Sequence, residues 1–190
     1  GRKLERFGDQ VLVRPEPKAW WPAHGRTAWR GADAEYLDRG VWRMRNPKAA
    51  RSWVLHYKGL KLEARLTDMS KHVGVFPEQA PHWDWIRERL ERQPGQRVLN
   101  LFGYTGVASL VAAAAGGDVT HVDASKPAIA WGRENQTASD LDRKPVRWLL
   151  DDAFEFVQRE IRRERTYDLI LLDPPSFGRG PKGEVWKVEN

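Results

Sequence analysis

From residue 96 onward, short apolar runs alternate with segments of helical length, and this alternation constrains the fold more than any other feature of the chain. Residues 97–101, 119–122, 146–150 and 167–172 read as four strands. Between them lie three helices. The first is alanine-rich over 106–115 and stops at Gly116-Gly117; the second starts at Pro127 behind a Ser125 cap and reaches about Ala138; the third covers 153–165. A serine cap pairs one of the amides that a helix start leaves open, and a proline in the first turn has none to leave open. Strands that alternate with crossover helices pair in parallel, so the expected fold class is α/β with a helix-covered parallel sheet. Leu169-Ile170-Leu171-Leu172 is apolar on both faces, as a central strand requires. Right-handed winding places the first and fourth strands at the middle of such a sheet. A fourth strand left at the rim would be an uncovered apolar edge, which natural proteins avoid. The sheet is therefore expected to be incomplete at Asn190, with more strands supplied by further chain or a second polypeptide. A neighbouring protomer or the N-terminal region covering the edge is the alternative.

The first half has a different texture. The first 40 or so residues read as irregular, with Pro15, Pro17, Pro22 and several glycines, and Val11-Leu12-Val13 as one short strand. Trp53, Leu55 and Tyr57 alternate with Val54 and His56, and after Lys58-Gly59 the residues Leu60, Leu62, Ala64 and Leu66 alternate with charged ones. That pattern is a β-hairpin with one buried face. Gly74-Val75-Phe76 reads as a further short strand, and 81–90 as a helix ended by Pro94-Gly95. Residues 1–95 carry 19 Lys/Arg against 12 Asp/Glu, whereas 96–190 carry 13 against 14. Seven of the ten tryptophans also lie in the first half. A basic, aromatic-rich segment beside a near-neutral one suggests a polyanion-facing module joined to a small-molecule module; a basic surface over a tryptophan-rich core is the alternative. The chain has no cysteine, which removes disulfides, thiolate metal sites and a cysteine nucleophile. No apolar run approaches the ~20 residues that span a bilayer, and the N-terminal residues do not read as a secretory signal. The expectation is a cytoplasmic protein with no membrane and no metal partner. None of the five histidines has ligand-spaced partners, and surface or turn positions are expected for them.

Four strand ends carry the residues of chemical interest. After the first strand comes Asn100-Leu101-Phe102-Gly103-Tyr104-Thr105-Gly106. Glycines here let backbone approach a ligand, and the open amides of the next helix face it. The spacing is not the G-x-G-x-x-G that seats a pyrophosphate, and Phe102 and Tyr104 would crowd one; a zwitterionic amino-acid tail fits better. An ordinary strand-to-helix turn is the plain alternative. After the second strand, Asp123-Ala124-Ser125 follows Gly103 by 20 residues, and an acid there can accept both hydroxyls of a ribose, in a nicotinamide or an adenosyl cofactor alike. After the third, Asp151-Asp152-Ala153-Phe154 offers an acceptor for an adenine amino group and an apolar cover for its ring. Alignment with the usual pattern favours Asp152, though either aspartate could simply cap the helix. After the fourth, Asp173-Pro174-Pro175-Ser176-Phe177 holds a carboxylate and carbonyls on locked backbone, with an aromatic ring for a planar substrate to stack upon. In the segment that follows, read as a glycine-rich loop, Arg179, Lys182 and Lys187 could meet phosphate and Trp186 could stack.

These four motifs, in this order, resemble the class I S-adenosylmethionine-dependent methyltransferase family over about residues 72–190. Three passages narrow the likeness to bacterial methyltransferases of large-subunit ribosomal RNA that carry a small β-rich region before the catalytic domain. They are Asn100 to Gly106, Asp173 to Phe177, and Gly74-Val75-Phe76-Pro77-Glu78-Gln79. The resemblance implies a Rossmann-like methyltransferase sheet over 96–190, a linking helix over 81–95, and a basic β region over 1–80. It implies S-adenosyl-L-methionine as cofactor and a base in ribosomal RNA as substrate. By the same analogy, Phe76 and Gln79 lie near the methionine end. One departure matters: Ser176 stands directly after the second proline, where amine-methylating relatives have the aromatic, so the acceptor atom stays open. A protein or small-molecule substrate, a non-catalytic RNA-binding module and a nicotinamide-dependent oxidoreductase remain as competing readings, and the oligomeric state is open.

Overall fold

The computed structural model describes residues 1–37, 40–68, 70–179 and 185–187; the side chains of Arg26, Phe177, Arg179 and 185–187 are outside the description. The chain divides into two compact units, 1–75 and 76–190.

The first unit holds more regular structure than its prolines suggest. Strands β1 (Arg2–Phe7), β2 (Gln10–Pro15), β3 (Ala34–Leu37) and β4 (Val41–Met44) form a sheet in that order, with β2 and β3 parallel and the other pairs antiparallel. A short helix, α1 (Arg26–Arg30), lies between β2 and β3. The expectation of an irregular first 40 residues is thus corrected. These strands escape a pattern reading because charges interrupt them, and because the β2–β3 pairing bridges 20 or more residues. The expected hairpin is present as β5 (Ser52–Tyr57) and β6 (Leu60–Arg65), turning at Lys58 and Gly59 with φ of 44° and 90°. Two consecutive residues at positive φ give the turn that matches strand twist. Phe7, Leu12, Ala34 and Trp42 from the sheet share one core with Ala64, Leu66 and Val73. Indole N–H groups are satisfied within it: Trp53 donates to the Phe7 carbonyl at 2.9 Å and Trp42 to the Ser70 carbonyl at 3.0 Å. The strand expected at 74–76 is absent. Gly74 takes φ of 95°, which breaks extended geometry, and Phe76 leads into a 3-10 turn at Pro77–Gln79.

The second unit begins with that turn and α2 (Ala80–Arg92), which buries Trp83, Ile86 and Leu90. There follow β7 (Arg97–Leu101), α3 (Val107–Ala114), β8 (Asp118–Asp123), α4 (Lys126–Ala138), β9 (Val146–Leu150), α5 (Ala153–Arg162) and β10 (Leu169–Leu172). The four strands form one parallel sheet in the order β10-β7-β8-β9. Side chains alternate between its faces. Leu99, Leu101 and Val122 join Ala153 and Phe156 of α5, whereas Asn100 and His121 turn to Ser109 of α3. The helices thus cover opposite faces. Strand β10 is the rim of this sheet, and Ile170 and Leu172 are 57% and 62% exposed. Beyond it, the segment read as a glycine-rich loop is a two-stranded ribbon, β11 (Phe177–Arg179) with β12 (Val185–Lys187). Lys182 lies outside the described residues, and the side chains of Phe177, Arg179, Trp186 and Lys187 are likewise not described. Among the described residues no helix is long and apolar enough to cross a membrane.

Candidate functional site

Because the sheet is parallel and in register, all four carboxyl ends open along one edge. Leu101 pairs with Val122 and Leu172, and Asp123 pairs with Leu150. The four motifs therefore stand side by side, where ligands bind in open α/β sheets.

The first of them is a tightly wound loop. Phe102 and Tyr104 hold φ of 55° and 51°, and Gly106 caps α3 at φ 82°. Non-glycine residues seldom occupy this region, and each does so at a cost of about 1–2 kcal/mol. The surroundings impose the shape. Gly103 donates to the Val122 carbonyl at 3.1 Å, and Tyr104 N–H donates to Asp123 Oδ2 at 2.7 Å. A side chain on Gly103 would run into the His121 ring, and one on Gly106 or Gly132 into Trp148. Of the other motif residues, Asn100 and Thr105 are buried. Asn100 donates to Ser109 Oγ at 2.9 Å, and the Thr105 carbonyl accepts from Asn135 at 3.2 Å. The loop thus offers backbone and the faces of Phe102 and Tyr104.

Asp123 is held by both oxygens. Besides Tyr104 N–H, it accepts from Ser125 N–H at 2.8 Å through Oδ1. Burial raises its pKa above the usual 3.8, and these two amides pull against that rise. Each oxygen keeps one lone pair for a further donor. Ser125 caps α4 through Ala128 N–H at 3.3 Å, and Ala124 is half-buried between the two. At the third strand end the two aspartates divide the work. Asp152 caps α5 by accepting from Glu155 N–H at 3.0 Å, while Asp151 pairs with Arg159. Ala153 belongs to the core, and Phe154 stands 60% exposed.

Asp173 is exposed at the end of β10 and accepts from Gln79 Nε2 at 3.2 Å. Gln79 Oε1 faces His82 Nδ1 at 2.6 Å. Phe76 packs on Tyr104 with ring centroids 5.5 Å apart, and Tyr104 on Trp131 at 6.4 Å. The segment before α2, remote in sequence, is thereby brought to the first and fourth motifs. Pro174 is half-buried and Pro175 exposed.

Three residues behind the site are not evident from sequence. His121, expected at a surface or turn, is fully buried. Its Nδ1 meets Ser109 Oγ at 2.9 Å and its ring lies 4.4 Å from that of Trp148. Burial drives its pKa down to about 3, against a smaller upward pull from the Tyr104 backbone, so it is a neutral packing group at any physiological pH. Trp148, whose Nε1 donates to Gln136 at 2.8 Å, and Trp131 complete the backing. The one available signal was Gly132 inside a helix, which marks a close approach. Among the described residues no group of three or more His, Asp or Glu is placed to hold a metal.

The sequence that builds this sheet edge matches a known family model, that of S-adenosylmethionine-dependent methyltransferases, over residues 16–184. The chain belongs to that family. A crystal structure of the S-adenosylmethionine-dependent methyltransferase from Agrobacterium tumefaciens superposes with a TM-score of 0.94 at 51% identity, covering 100% of this chain and 62% of that one. A second, that of SMU.776 complexed with S-adenosylhomocysteine, superposes at 0.79 with 27% identity, covering 99% of this chain and 51% of that one. Among curated methyltransferases, the ribosomal RNA large subunit methyltransferase K/L of Shewanella sp. strain MR-4 is 38% identical over 96 residues. The same-named protein of Hahella chejuensis is 37% identical over 112. These stretches are 50% and 58% of this chain and only 14% and 15% of those relatives. The residues present fit the family's cofactor. A doubly anchored carboxylate with spare lone pairs suits a ribose diol, and a loop held in left-handed turns brings backbone to the edge beside the Phe102 and Tyr104 rings.

Proposed function

We propose that this chain binds S-adenosylmethionine at the carboxyl edge of its parallel sheet and methylates a base in large-subunit ribosomal RNA. The observation that carries the reading is the convergence of Asp123, Tyr104, Phe76, Gln79 and Asp173 along one sheet edge. In this reading Asp123 accepts the ribose hydroxyls, and the Phe102–Gly106 loop receives the amino-acid tail. Asp152 and Phe154 meet the adenine: one Asp152 oxygen serves the helix cap, which leaves the other for the amino group. Phe76 and Gln79 border the methionine end. The bound cofactor supplies an electrophilic sulfonium methyl, which passes to a nucleophilic base atom as the thioether leaves. The chain's own part is positioning. Asp173, oriented by Gln79, accepts from the substrate or the cofactor amine, and the two prolines fix the backbone carbonyls beside it. Phe177 is assigned to stacking on the base, and Arg179, Lys182, Trp186 and Lys187 to the RNA strand.

The RNA substrate is supported by the names of the curated relatives and by charge. Residues 1–75 carry 16 Lys/Arg against 8 Asp/Glu, the balance expected of a phosphate-facing unit. The test is transfer of label from methyl-tritiated S-adenosylmethionine to large-subunit ribosomal RNA, with protein and small-molecule fractions counted in parallel. Label in RNA that vanishes with Asp173→Ala is expected. Label confined to protein or small molecules would overturn the substrate assignment.

A further inference from the structure

In the first unit, Glu35 is almost fully buried, yet three arginines converge on it. Arg2 and Arg43 each hold one of its oxygens, and Arg45 donates through Nη2 at 2.6 Å and Nε at 3.1 Å. One carboxylate against three guanidiniums leaves a surplus of two positive charges. The surplus is not buried with the glutamate: the side chains of Arg43 and Arg2 are 56% and 40% exposed. Each guanidinium carries five N–H donors, and among the described residues Arg2 and Arg43 each spend one on Glu35, which leaves donors for another anion.

The segment between β2 and α1 carries two tryptophans that are largely uncovered among the described residues. Trp20 is 86% exposed and Trp21 69%, in a protein whose other described tryptophans are better covered or bonded. The segment that carries them is tied to the arginines. Arg45 also donates to the Trp29 carbonyl at 2.8 Å, and Trp29 Nε1 donates to the His24 carbonyl at 2.9 Å, three residues after Trp21. On the other side, Ala19 precedes Trp20, and its carbonyl accepts from the amine of Gly1, next to Arg2. The segment that carries the two indoles is thus tied at both ends to residues of, or next to, the arginine cluster that is anchored on Glu35.

We infer that Trp20, Trp21, Arg2 and Arg43 form a single-stranded RNA subsite, in which the indoles stack on unpaired bases and the arginines take the adjoining phosphates. The inference rests on the RNA reading above and adds to it the surface and the strandedness of the ligand. Charge complementarity selects a polyanion, and paired exposed aromatics select one with free base faces rather than a duplex or a lipid surface.

The experiment is fluorescence anisotropy of a labelled oligouridylate roughly 12 nucleotides long, titrated with the whole protein at several salt concentrations. The variants are Trp20→Ala with Trp21→Ala, and Arg43→Gln. Arg43→Gln leaves Arg2 and Arg45 on Glu35, so it keeps the fold, and circular dichroism checks each variant. Stacking predicts that the tryptophan pair weakens binding about tenfold or more. Phosphate contact predicts that Arg43→Gln lowers the slope of log affinity against log salt by about 0.7. Wild-type binding that neither variant alters would overturn the subsite while leaving the RNA reading intact. Failure of the wild type to bind either this strand or ribosomal RNA would overturn both. A dimer in gel filtration that the tryptophan variant dissolves, with RNA affinity unchanged, would make the face a self-association surface and overturn the subsite.

Discussion

Replacing Gly103 with alanine would put a methyl carbon 2.5 Å from Nδ1 of His121 and nearer still to its Cε1. Carbon and nitrogen need about 3.5 Å or more, so one side must yield by about 1 Å. The imidazole has little room to yield, being fully buried, crowded by Trp148 and bonded to Ser109. The loop must move instead, and overpacking of this kind costs about 1–3 kcal/mol. At a few degrees per kcal/mol, the melting transition of the second unit should fall by about 5–10 °C. The same displacement stretches the 2.7 Å bond from Tyr104 N–H to Asp123 beyond hydrogen-bonding range, so S-adenosylhomocysteine should bind at least about tenfold more weakly. Thermal melts by circular dichroism and calorimetric titration read the two effects. A double-mutant cycle isolates the cause. His121→Ala should be destabilising alone, by a few kcal/mol for the lost packing and hydrogen bond, yet adding Gly103→Ala should then cost almost nothing. Additive penalties, or a Gly103→Ala protein that melts and binds like wild type, would refute the steric account.

Asp123→Asn should weaken S-adenosylhomocysteine by roughly 10- to 100-fold in a protein that remains folded, since a charged acceptor is exchanged for a neutral one. Acid should do the same to the wild type. The Asp123 pKa is raised by burial, so affinity should begin to fall while the pH is still above 3.8, and a titration flat down to that value would contradict the ribose role. Stability runs the other way for this group: its contribution is whole below 3.8 and is lost as pH rises through the raised value. Asp173→Ala should abolish methyl transfer with the melting temperature unchanged, because the side chain is exposed and bonded only to Gln79 among the described residues; full turnover would remove it from the site. Glu35→Gln should destabilise the first unit by about 3–5 kcal/mol, since three arginines lose their buried counterion. In the wild type, burial would raise the Glu35 pKa, but the Arg45 and Arg43 hydrogen bonds outweigh it and hold the group at about 2, so this stabilisation should be present above pH 4.5 and fade towards 2; an acid melt with no such loss would contradict it.

The parallel sheet was legible because each of its strands is an apolar run bounded by glycine, proline or an acid, and a run of that kind has few other fates. The four motifs were legible as strand ends of that sheet. What escaped was decided by distant partners. The strand Arg2–Phe7 is half charged and becomes a strand through its pairing with Gln10–Pro15. His121 sits in an ordinary strand sequence, and its burial comes from Gly103, Ser109 and Trp148, which the fold packs around it. The doublet Asp151-Asp152 could be assigned either way until backbone dihedrals made Asp152 the cap and gave Asp151 to Arg159. Gly74-Val75-Phe76 has strand composition, but a positive φ at Gly74 turns it into the lead of a 3-10 turn.

The loop at Phe102 and Tyr104 sets a trap for protein engineers. Both residues occupy left-handed backbone that glycine would adopt without penalty, so a design that weighs backbone dihedrals alone would place glycine at either position for a gain of about 1–2 kcal/mol. The rings lost would be those that meet Phe76 and Trp131 and the core below, and with them the stiffness that aims Tyr104 N–H at Asp123. A packed aromatic ring lost to a small residue costs up to about 3–5 kcal/mol, more than the backbone relief, so glycine at either codon should lower heat resistance and ligand retention together, and designs on this scaffold should keep both rings.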